Sequence, residues 1–276
     1  MLRRLLANTL RTPEGLAGGG VLACAALAAL LAPLLFPGDP LDIAGRPLLP
    51  PFVDAGLPLG TDRLGRSIAA GLVHGARSTL LVALSVAAAA LALGALVGAI
   101  AGYAGGWLGD ALMRIADAAQ TVPGFVLALA LVSAFGPGTG TLIIALAAGA
   151  WTGPARIVRA ETIALKSRPF VEASRLIGRP PAAIALGVIL PNALPPLISL
   201  SAIIVAGAIL TESALSFLGL GNPNAASWGA MIAEGRAVMR SAAHVIVAPG
   251  IAIAVTVLAV SLLGEGLARA ASQSES

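Results

Sequence analysis

Long runs of apolar residues are the feature that most limits what this chain can fold into. Several continue for about 20 residues with almost no charge, the length that an α-helix needs to cross the hydrocarbon core of a bilayer. Strands of a membrane barrel would instead alternate apolar and polar residues over about ten positions. Of the 276 residues, 58% are hydrophobic and 11% are charged, whereas soluble domains have about 25% charged residues. The sequence therefore predicts an all-α membrane protein and excludes an ordinary soluble enzyme.

Six of these runs predict one transmembrane helix each. They cover residues 15–36, 78–102, 112–135, 139–151 with some extension, 194–210 or slightly beyond, and 244–264. The first run follows Arg3, Arg4 and Arg11, which is also the layout of a signal peptide, but its length of about 22 residues exceeds the 7–15 of a signal-peptide core. We therefore expect a retained first helix. The limits of the fourth and fifth helices depend on where the chain bends at nearby prolines.

The distribution of Arg and Lys predicts how these helices are oriented. With the N-terminus in the cytoplasm, 11 of the 17 basic residues lie on the inner side and 6 on the outer side, as the positive-inside rule requires. Both termini are then cytoplasmic. Residues 1–76 form the N-terminal cytoplasmic tail, the first helix and an outer loop, and residues 77–276 form a core domain with five transmembrane helices and a cytoplasmic hairpin at about 156–191.

Two groups of residues predict how the helices pack. The second run carries three glycines four residues apart on one helix face, Gly94, Gly98 and Gly102. Such a stripe of small residues allows the backbone of another helix to approach closely in lipid. At the inner start of the third run, Asp110, Arg114 and Asp117 are spaced to satisfy one another along one helix face, without a role in transport.

The inner loop with the most basic residues has the pattern of two short helices joined by a turn. Residues 170–177 have helical spacing, Gly178 can adopt the positive φ that ends a helix, and the Pro-Pro pair that follows suits the first turn of the next helix. We expect this second helix, 182–190, to stop or kink before Pro191. A hairpin of this kind can hold a soluble partner, but a solvated charged loop would look similar.

The same loop carries a recognisable motif. The residues that form it are Glu172, Ala173, Ser174, Gly178, Val188, Leu190 and Pro191. In type and spacing they resemble the EAA signature of ABC importer permeases, with Ser174 and Val188 in place of residues of similar size. The resemblance implies that the hairpin, including Arg175, is a coupling helix that docks in a cleft of an ATP-hydrolysing subunit.

Other segments resemble the dipeptide, oligopeptide and nickel importer permeases, from the first helix to the last. They are 58–66, 75–80, 212–221, 227–231, 249–251 and 262–267. A first helix followed by Gly-Thr-Asp-x-Leu-Gly-Arg is the opening of the DppC, OppC and NikC type, although Ser67 stands where that family usually has Asp. The resemblance implies a type I ABC importer permease fold in the bacterial cytoplasmic membrane. It also implies half of a pore for short peptides, with a second homologous permease subunit, two ATPase subunits and an extracytoplasmic substrate-binding protein.

Charged residues of the outer loop allow two interpretations. Thr61 is placed to cap a helix whose first turn carries Asp62, which would be a purely local role. Alternatively, Asp62, Arg63 and Arg66 form polar contacts with the partner permease or the external receptor.

Three residues further along the chain are candidates for an outer gate. Glu212 is costly in lipid, so it should face the bundle interior, a loop or a water path, either in a structural hydrogen bond or as part of a gate. Phe217 and Trp228 lie in a segment that is not a full membrane span and is too apolar for a solvated loop. The resemblance places this region beside the translocation path.

The chemistry that the sequence lacks also limits the function. Its one lysine, Lys166, follows Leu165, so the Gly-Lys-Ser/Thr of an ATP-binding P-loop is missing, and no Gly-x-Ser-x-Gly elbow is present. We predict no catalytic residues and no cofactor in this chain, with ATP and Mg²⁺ held by the partner ATPase subunits. Cys24, His74 and His244 are too few for a disulfide or a zinc site, so we predict no metal. The net charge of +4 reflects cytoplasmic loops rather than a nucleic-acid partner.

Two alternatives to a peptide importer stay open. Close relatives within the resembled family import nickel, free or chelated, and one permease sequence does not separate the substrates. An ion-gradient-driven secondary transporter would place paired ionisable groups near the middle of the membrane and would often contain inverted repeats, and neither is evident in the sequence.

Overall fold

The computed structural model describes residues 9–272, and within them all regular elements are helical apart from two isolated bridges in the loop after the first helix. The α-helices of this part are α1 Pro13–Leu35, α2 Ile68–Ala104, α3 Gly106–Thr121, α4 Gly124–Phe135, α5 Thr139–Ala150, α6 Thr152–Lys166, α7 Pro169–Leu176, α8 Pro181–Ile184, α9 Leu190–Ala193, α10 Pro195–Phe217, α11 Trp228–Gly235 and α12 His244–Ser272. A π-turn, Ala185–Ile189, joins α8 to α9, and a short 3₁₀ turn follows α11.

Four helices of the described part are long and apolar enough to cross a membrane by themselves: α1, α2, α10 and α12. The pairs α3–α4 and α5–α6 each meet the same criteria together but are bent by 82° and 44°. Counting each bent pair as one span gives six, the number that the sequence predicts, whereas the unbroken helices alone give four.

The third predicted span is broken rather than continuous. Residues 112–135 were expected to form one helix, but α3 ends at Thr121 and α4 begins at Gly124. Val122 has an extended backbone with ψ of 123°, as residues before a proline usually do, and Pro123 has no N–H to continue the helix. The prediction of an unbroken helix was therefore wrong.

The fourth span is longer than expected, because α6 continues to Lys166 after the bend at Trp151. Pro154 does not interrupt α6, since it lies in the first turn, where backbone N–H groups have no partner within the helix. Residues 156–166, which the sequence analysis placed in the inner loop, are therefore helical.

The second span also begins earlier than the sequence predicts. Ser67 caps α2 by accepting a hydrogen bond from the Ala70 amide at 3.3 Å, so residues 68–76 are helical rather than part of the outer loop. Serine and aspartate are similarly good N-cap residues. The departure from the family pattern at Ser67 therefore preserves the cap.

The glycine stripe of α2 packs directly on α6, which confirms the predicted close approach. A Cβ atom on Gly98 would lie 2.4 Å from the carbonyl oxygen of Ala155, and one on Gly94 would lie 2.5 Å from that of Trp151. Gly102 faces the next turn of α6 in the same way. Any larger residue would have to push the two helices apart.

The acidic residues of α3 pair with α6 rather than within their own helix. Asp117 lies 2.7 Å from Arg156, and Asp110 lies 3.1 Å from Arg159. The expected pairing of Asp110 and Asp117 with Arg114 along α3 was wrong, because the antiparallel helix α6 carries two arginines at matching heights.

Contacts between helix ends distinguish two ends of the bundle. His74 Nε2 lies 3.0 Å from the Phe36 carbonyl oxygen, which joins the end of α1 to the start of α2. Arg269 and Glu14 pair at 2.5 Å where α12 ends and α1 begins, and α2 and α6 end together at Lys166. We call this second group the hairpin end and the opposite one the loop end. Which end faces the cytoplasm stays a prediction.

Candidate functional sites

The hairpin that follows α6 begins as the sequence predicts. Helix α7 covers residues 169–176, and Gly178 has a φ of +78°, in the left-handed region that ends helices. The amide of Gly178 donates to the Arg175 carbonyl at 2.9 Å, and the amide of Arg179 donates to that of Ser174 at 3.3 Å. A Cβ on Gly178 would meet no atom within 4 Å, so glycine is required here by the backbone conformation rather than by space.

The second leg of the hairpin is distorted before Pro191 but does not stop there. Because Pro191 has no N–H, the regular hydrogen-bond ladder cannot pass through it. The chain forms the π-turn instead, in which the Leu190 amide donates to the Ala185 carbonyl, and the helical path continues to Ala193.

The motif residues divide into an exposed group and a packed one. Exposed or half-buried on α7 and its turn are Glu172, Ala173, Ser174, Arg175 and Gly178. Leu190 packs instead against the cluster between α2, α6 and α10, and Pro191 is exposed beside it. Four motif residues, Glu172, Ala173, Ser174 and Gly178, thus lie with Arg175 on α7 and its turn, whereas Leu190 packs away from them.

Two large aliphatic residues next to the motif were not singled out from the sequence. Leu176 is 88% exposed and Ile177 is 73% exposed, and together they form what we call the hairpin tip. An adjacent apolar pair at the end of a charged helix was the available signal. The two adjacent side chains therefore leave a small apolar surface uncovered at the end of α7.

The hairpin is held to the bundle by a small apolar cluster beneath α7. Val171, Ile184 and Ile189 are each at most 1% exposed and pack against Tyr103 and Leu165, at the ends of α2 and α6. A helix of eight residues is unstable alone, so packing of this kind must fix its orientation.

The loop between α1 and α2 is cross-linked by Thr61, which does not cap a helix. Its buried hydroxyl accepts from the Leu49 amide at 2.8 Å and donates to the Arg46 carbonyl at 2.5 Å. Asp62 instead closes a tight turn by accepting from the Leu64 and Arg66 amides at 2.8 and 2.9 Å. The local capping interpretation was wrong because the helix begins only after Ser67.

At the loop end, Arg66 forms an ion pair with Glu234 of α11 at 3.1 Å. Both residues and Asp62 line a cavity of about 310 Å³ between the α1–α2 loop and α11, while Arg63 is exposed at the surface. Burial raises the pKa of the Glu234 carboxyl above its usual value, and the Arg66 guanidinium opposes that shift. Glu234 was missed by the sequence analysis because its partner lies 168 residues away.

Glu212 is buried inside the bundle near the loop end, at 2% exposure. Its carboxylate accepts hydrogen bonds from the hydroxyls of Ser216 at 2.7 Å, Thr79 at 3.3 Å and Ser213 at 3.5 Å. Among the described residues, no Lys or Arg forms an ion pair with it. The structure therefore contains the hydrogen bonds of the local interpretation, and a gate role stays a prediction.

Trp228 is also buried, with 3% exposure, and its indole N–H donates to the Leu72 carbonyl of α2 at 2.9 Å. A Cβ on Gly75 would lie 2.9 Å from the indole ring, so the two helices fit closely there. Phe217 ends α10 with its ring 5.9 Å from the Arg236 guanidinium. The structure places Phe217 and Trp228 at the loop end without exposing the tryptophan.

Sequence comparisons link the chain to known transport proteins. Residues 94–275 match the family described as binding-protein-dependent transport system inner membrane component. The chain is 44% identical to the probable peptide ABC transporter permease y4tQ of Sinorhizobium fredii, over 93% of this chain and 88% of that protein. It is 37% identical to the di/tripeptide permease DppC of Pseudomonas aeruginosa, covering 87% and 81%, and 43% identical to the glutathione permease GsiD of Shigella flexneri, covering 75% and 69%.

A solved structure supports the same assignment at the level of the fold. The inward-facing MetNI methionine ABC transporter aligns with a TM-score of 0.58 and 22% identity, over 73% of this chain and 96% of the matched one. The resemblance to ABC importer permeases inferred from the motif is thereby confirmed, and the chain belongs to the family of binding-protein-dependent transport system inner membrane components, the permease subunits of ABC importers.

Proposed function

We propose that this chain forms half of a heterodimeric pore that imports short peptides across the bacterial cytoplasmic membrane. The observation that carries the substrate class is the similarity, at 37–44% identity, to permeases named for peptides, di/tripeptides and glutathione, which are all short peptides. The other subunits would be a second homologous permease, two ATPase subunits and an extracytoplasmic substrate-binding protein. ATP and Mg²⁺ would be bound by the ATPase subunits.

The exposed face of the hairpin is the proposed ATPase contact. It combines the motif residues of α7 with the hairpin tip, whose two aliphatic side chains are otherwise left in water. A cleft on an ATPase subunit that covers the tip would remove this apolar surface from solvent. The small side chain of Ala173, which is exposed on α7, allows close approach of such a partner.

At the loop end, we place the receptor or partner contact on the exposed rim of the cavity. Arg63 is free to meet a partner at the surface, and Asp62 and Arg66 line the cavity beside it. Glu212 and Trp228 are buried behind this rim. In this proposal they keep α2, α10 and α11 together at an outer gate, with Phe217 at the end of α10.

Transport by the reconstituted complex tests the substrate class. In proteoliposomes with all partner subunits, we expect uptake of labelled dipeptides and tripeptides that requires ATP and the binding protein and continues when ion gradients are collapsed. Nickel uptake is the control for the metal alternative. Uptake of nickel without peptide would replace the proposed substrate, and peptide uptake driven by an ion gradient without ATP would indicate a secondary transporter.

Thiol labelling tests the orientation. Ser241, at the loop end, and Ser167, beside the hairpin, are both exposed, and each hydroxyl donates only to a carbonyl three residues earlier. Ser241→Cys and Ser167→Cys in a Cys24→Ser background are therefore matched, nearly isosteric variants. We expect an impermeant maleimide to label Ser241→Cys in intact spheroplasts and Ser167→Cys only after permeabilisation. The reverse pattern would show that the hairpin is outside.

A further inference from the structure

Tyr103 lies where the hairpin meets the bundle. It is next to last in α2, and its carbonyl oxygen accepts a hydrogen bond from Lys166 Nζ at 2.6 Å. Carbonyl groups in the last turn of a helix have no partner within that helix, and they form the negative end of its dipole. Lys166, the last residue of α6, therefore satisfies this carbonyl and joins the ends of α2 and α6.

The aromatic ring of Tyr103 is approached by two cations. Lys166 Nζ lies 5.4 Å from the ring centroid, and Arg175 Cζ of α7 lies 6.0 Å from it. Cations are attracted to aromatic rings at distances up to about 6 Å. Arg175 forms no ion pair among the described residues, and its guanidinium instead approaches the Tyr103 ring at the end of α2.

Tyr103 also packs against the apolar cluster of Val171, Ile184 and Ile189 that holds α7 in place. If α7 moves, it therefore either loses its packing against Tyr103 or moves the end of α2 with it. Beyond it, α2 is one continuous helix, and its other half contacts Glu212 through Thr79 and Trp228 through the Leu72 carbonyl.

We propose that Tyr103 is a positioning residue whose ring fixes α7 on the end of α2, so that displacement of the hairpin by an ATPase subunit moves α2. The inference rests on the proposed docking of the hairpin. It assigns to Tyr103 a role in energy coupling that is separate from the docking surface itself, because its half-buried ring faces Arg175 and the bundle rather than the exposed side of α7.

The test compares three variants in the complete reconstituted complex. Tyr103→Phe keeps the ring face, whereas Tyr103→Leu and Tyr103→Met keep apolar volume without it. The measured quantity is the number of peptides transported per ATP hydrolysed, with co-purification of the ATPase subunits as the control for assembly. We expect Tyr103→Phe to match the wild type and the other two to lower the ratio about fivefold or more, which is the range of typical coupling energies.

A double-mutant cycle identifies the partner of the ring. If Arg175 acts through Tyr103, Arg175→Gln should lower the ratio in the wild type but cause little further loss in Tyr103→Leu, since coupled residues are not additive. Full additivity would assign Arg175 a separate role and overturn the inference that it acts through the Tyr103 ring.

Other outcomes also contradict the inference. A wild-type ratio in both Tyr103→Leu and Tyr103→Met, or an equal loss in Tyr103→Phe, would show that the ring face does not position α7. Failure of both apolar variants to assemble would make Tyr103 a folding residue instead. Gly178→Val, measured in parallel, separates the two proposals. Normal receptor-stimulated ATP hydrolysis in Gly178→Val would contradict the docking of the hairpin. Loss of that stimulation in Gly178→Val, together with a normal transport ratio in Tyr103→Leu, would contradict only the role of Tyr103.

Discussion

Replacing Gly178 with Val is expected to abolish most receptor-stimulated ATP hydrolysis while the chain still inserts in the membrane. At φ +78° an L-residue costs about 1–2 kcal/mol, and a β-branched side chain is still less tolerated there. Helix α7 has only eight residues, so this strain is relieved most easily by unwinding its end and moving the motif residues. Because 1.4 kcal/mol corresponds to a tenfold change in an equilibrium, we expect stimulation to fall by about tenfold.

Matched alanine variants separate conformation from added volume. A Cβ at Gly178 or at Gly187 would meet no atom within 4 Å, but among these two only Gly178 has a positive φ. Gly178→Ala should therefore reduce stimulation, and Gly187→Ala in the same hairpin should not. Gly178→Asn should retain much of it, since asparagine tolerates the left-handed region. Normal receptor-stimulated ATP hydrolysis in Gly178→Val would contradict the assignment of this turn to ATPase coupling.

Replacing Gly98 with Val is expected to destabilise the permease itself. The new Cβ would lie 2.4 Å from the Ala155 carbonyl oxygen, so α2 and α6 would have to separate. Overpacking of this kind typically costs about 1–3 kcal/mol, and separation would also disturb the Asp110–Arg159 pair on the adjoining face. We expect a lower melting temperature in detergent and a smaller yield of assembled complex.

Gly20→Val is the matched control for this prediction. Gly20 lies inside α1, about two turns from its start, is exposed, and has no atom within 4 Å of an added Cβ. The same substitution in a transmembrane helix should therefore leave the melting temperature close to that of the wild type. Equal destabilisation by both substitutions would show that the helix propensity of valine, rather than contact with α6, causes the loss.

The sequence was informative where structure depends on neighbouring residues. The spacing around Gly178 predicted the end of α7, and the repeat of Gly94, Gly98 and Gly102 predicted a close helix contact, because both signals follow from local backbone geometry. Pro123 was an equally local signal for a break in the helix. The prediction nevertheless followed the long apolar run around it and made 112–135 one span.

Contacts between distant segments were not predictable from the sequence. Glu234 meets Arg66 across 168 residues, and Arg175 meets Tyr103 only after α6 has brought the hairpin back to the end of α2. In the sequence, each of these residues resembles an ordinary exposed charge or a residue at a helix end. Their pairing depends on the packing of whole helices, for which a single sequence holds no periodic signal.

The length of α2 has a mechanical consequence. Its 37 residues make a rod of about 55 Å, nearly twice the roughly 30 Å of a bilayer's hydrocarbon core. No proline interrupts α2, so it lacks the commonest cause of a helix kink. A rotation of about 10° around its midpoint would carry its two ends about 5 Å in opposite directions, close to one helical turn. A small tilt of such a rod would therefore change the contacts at both of its ends at once.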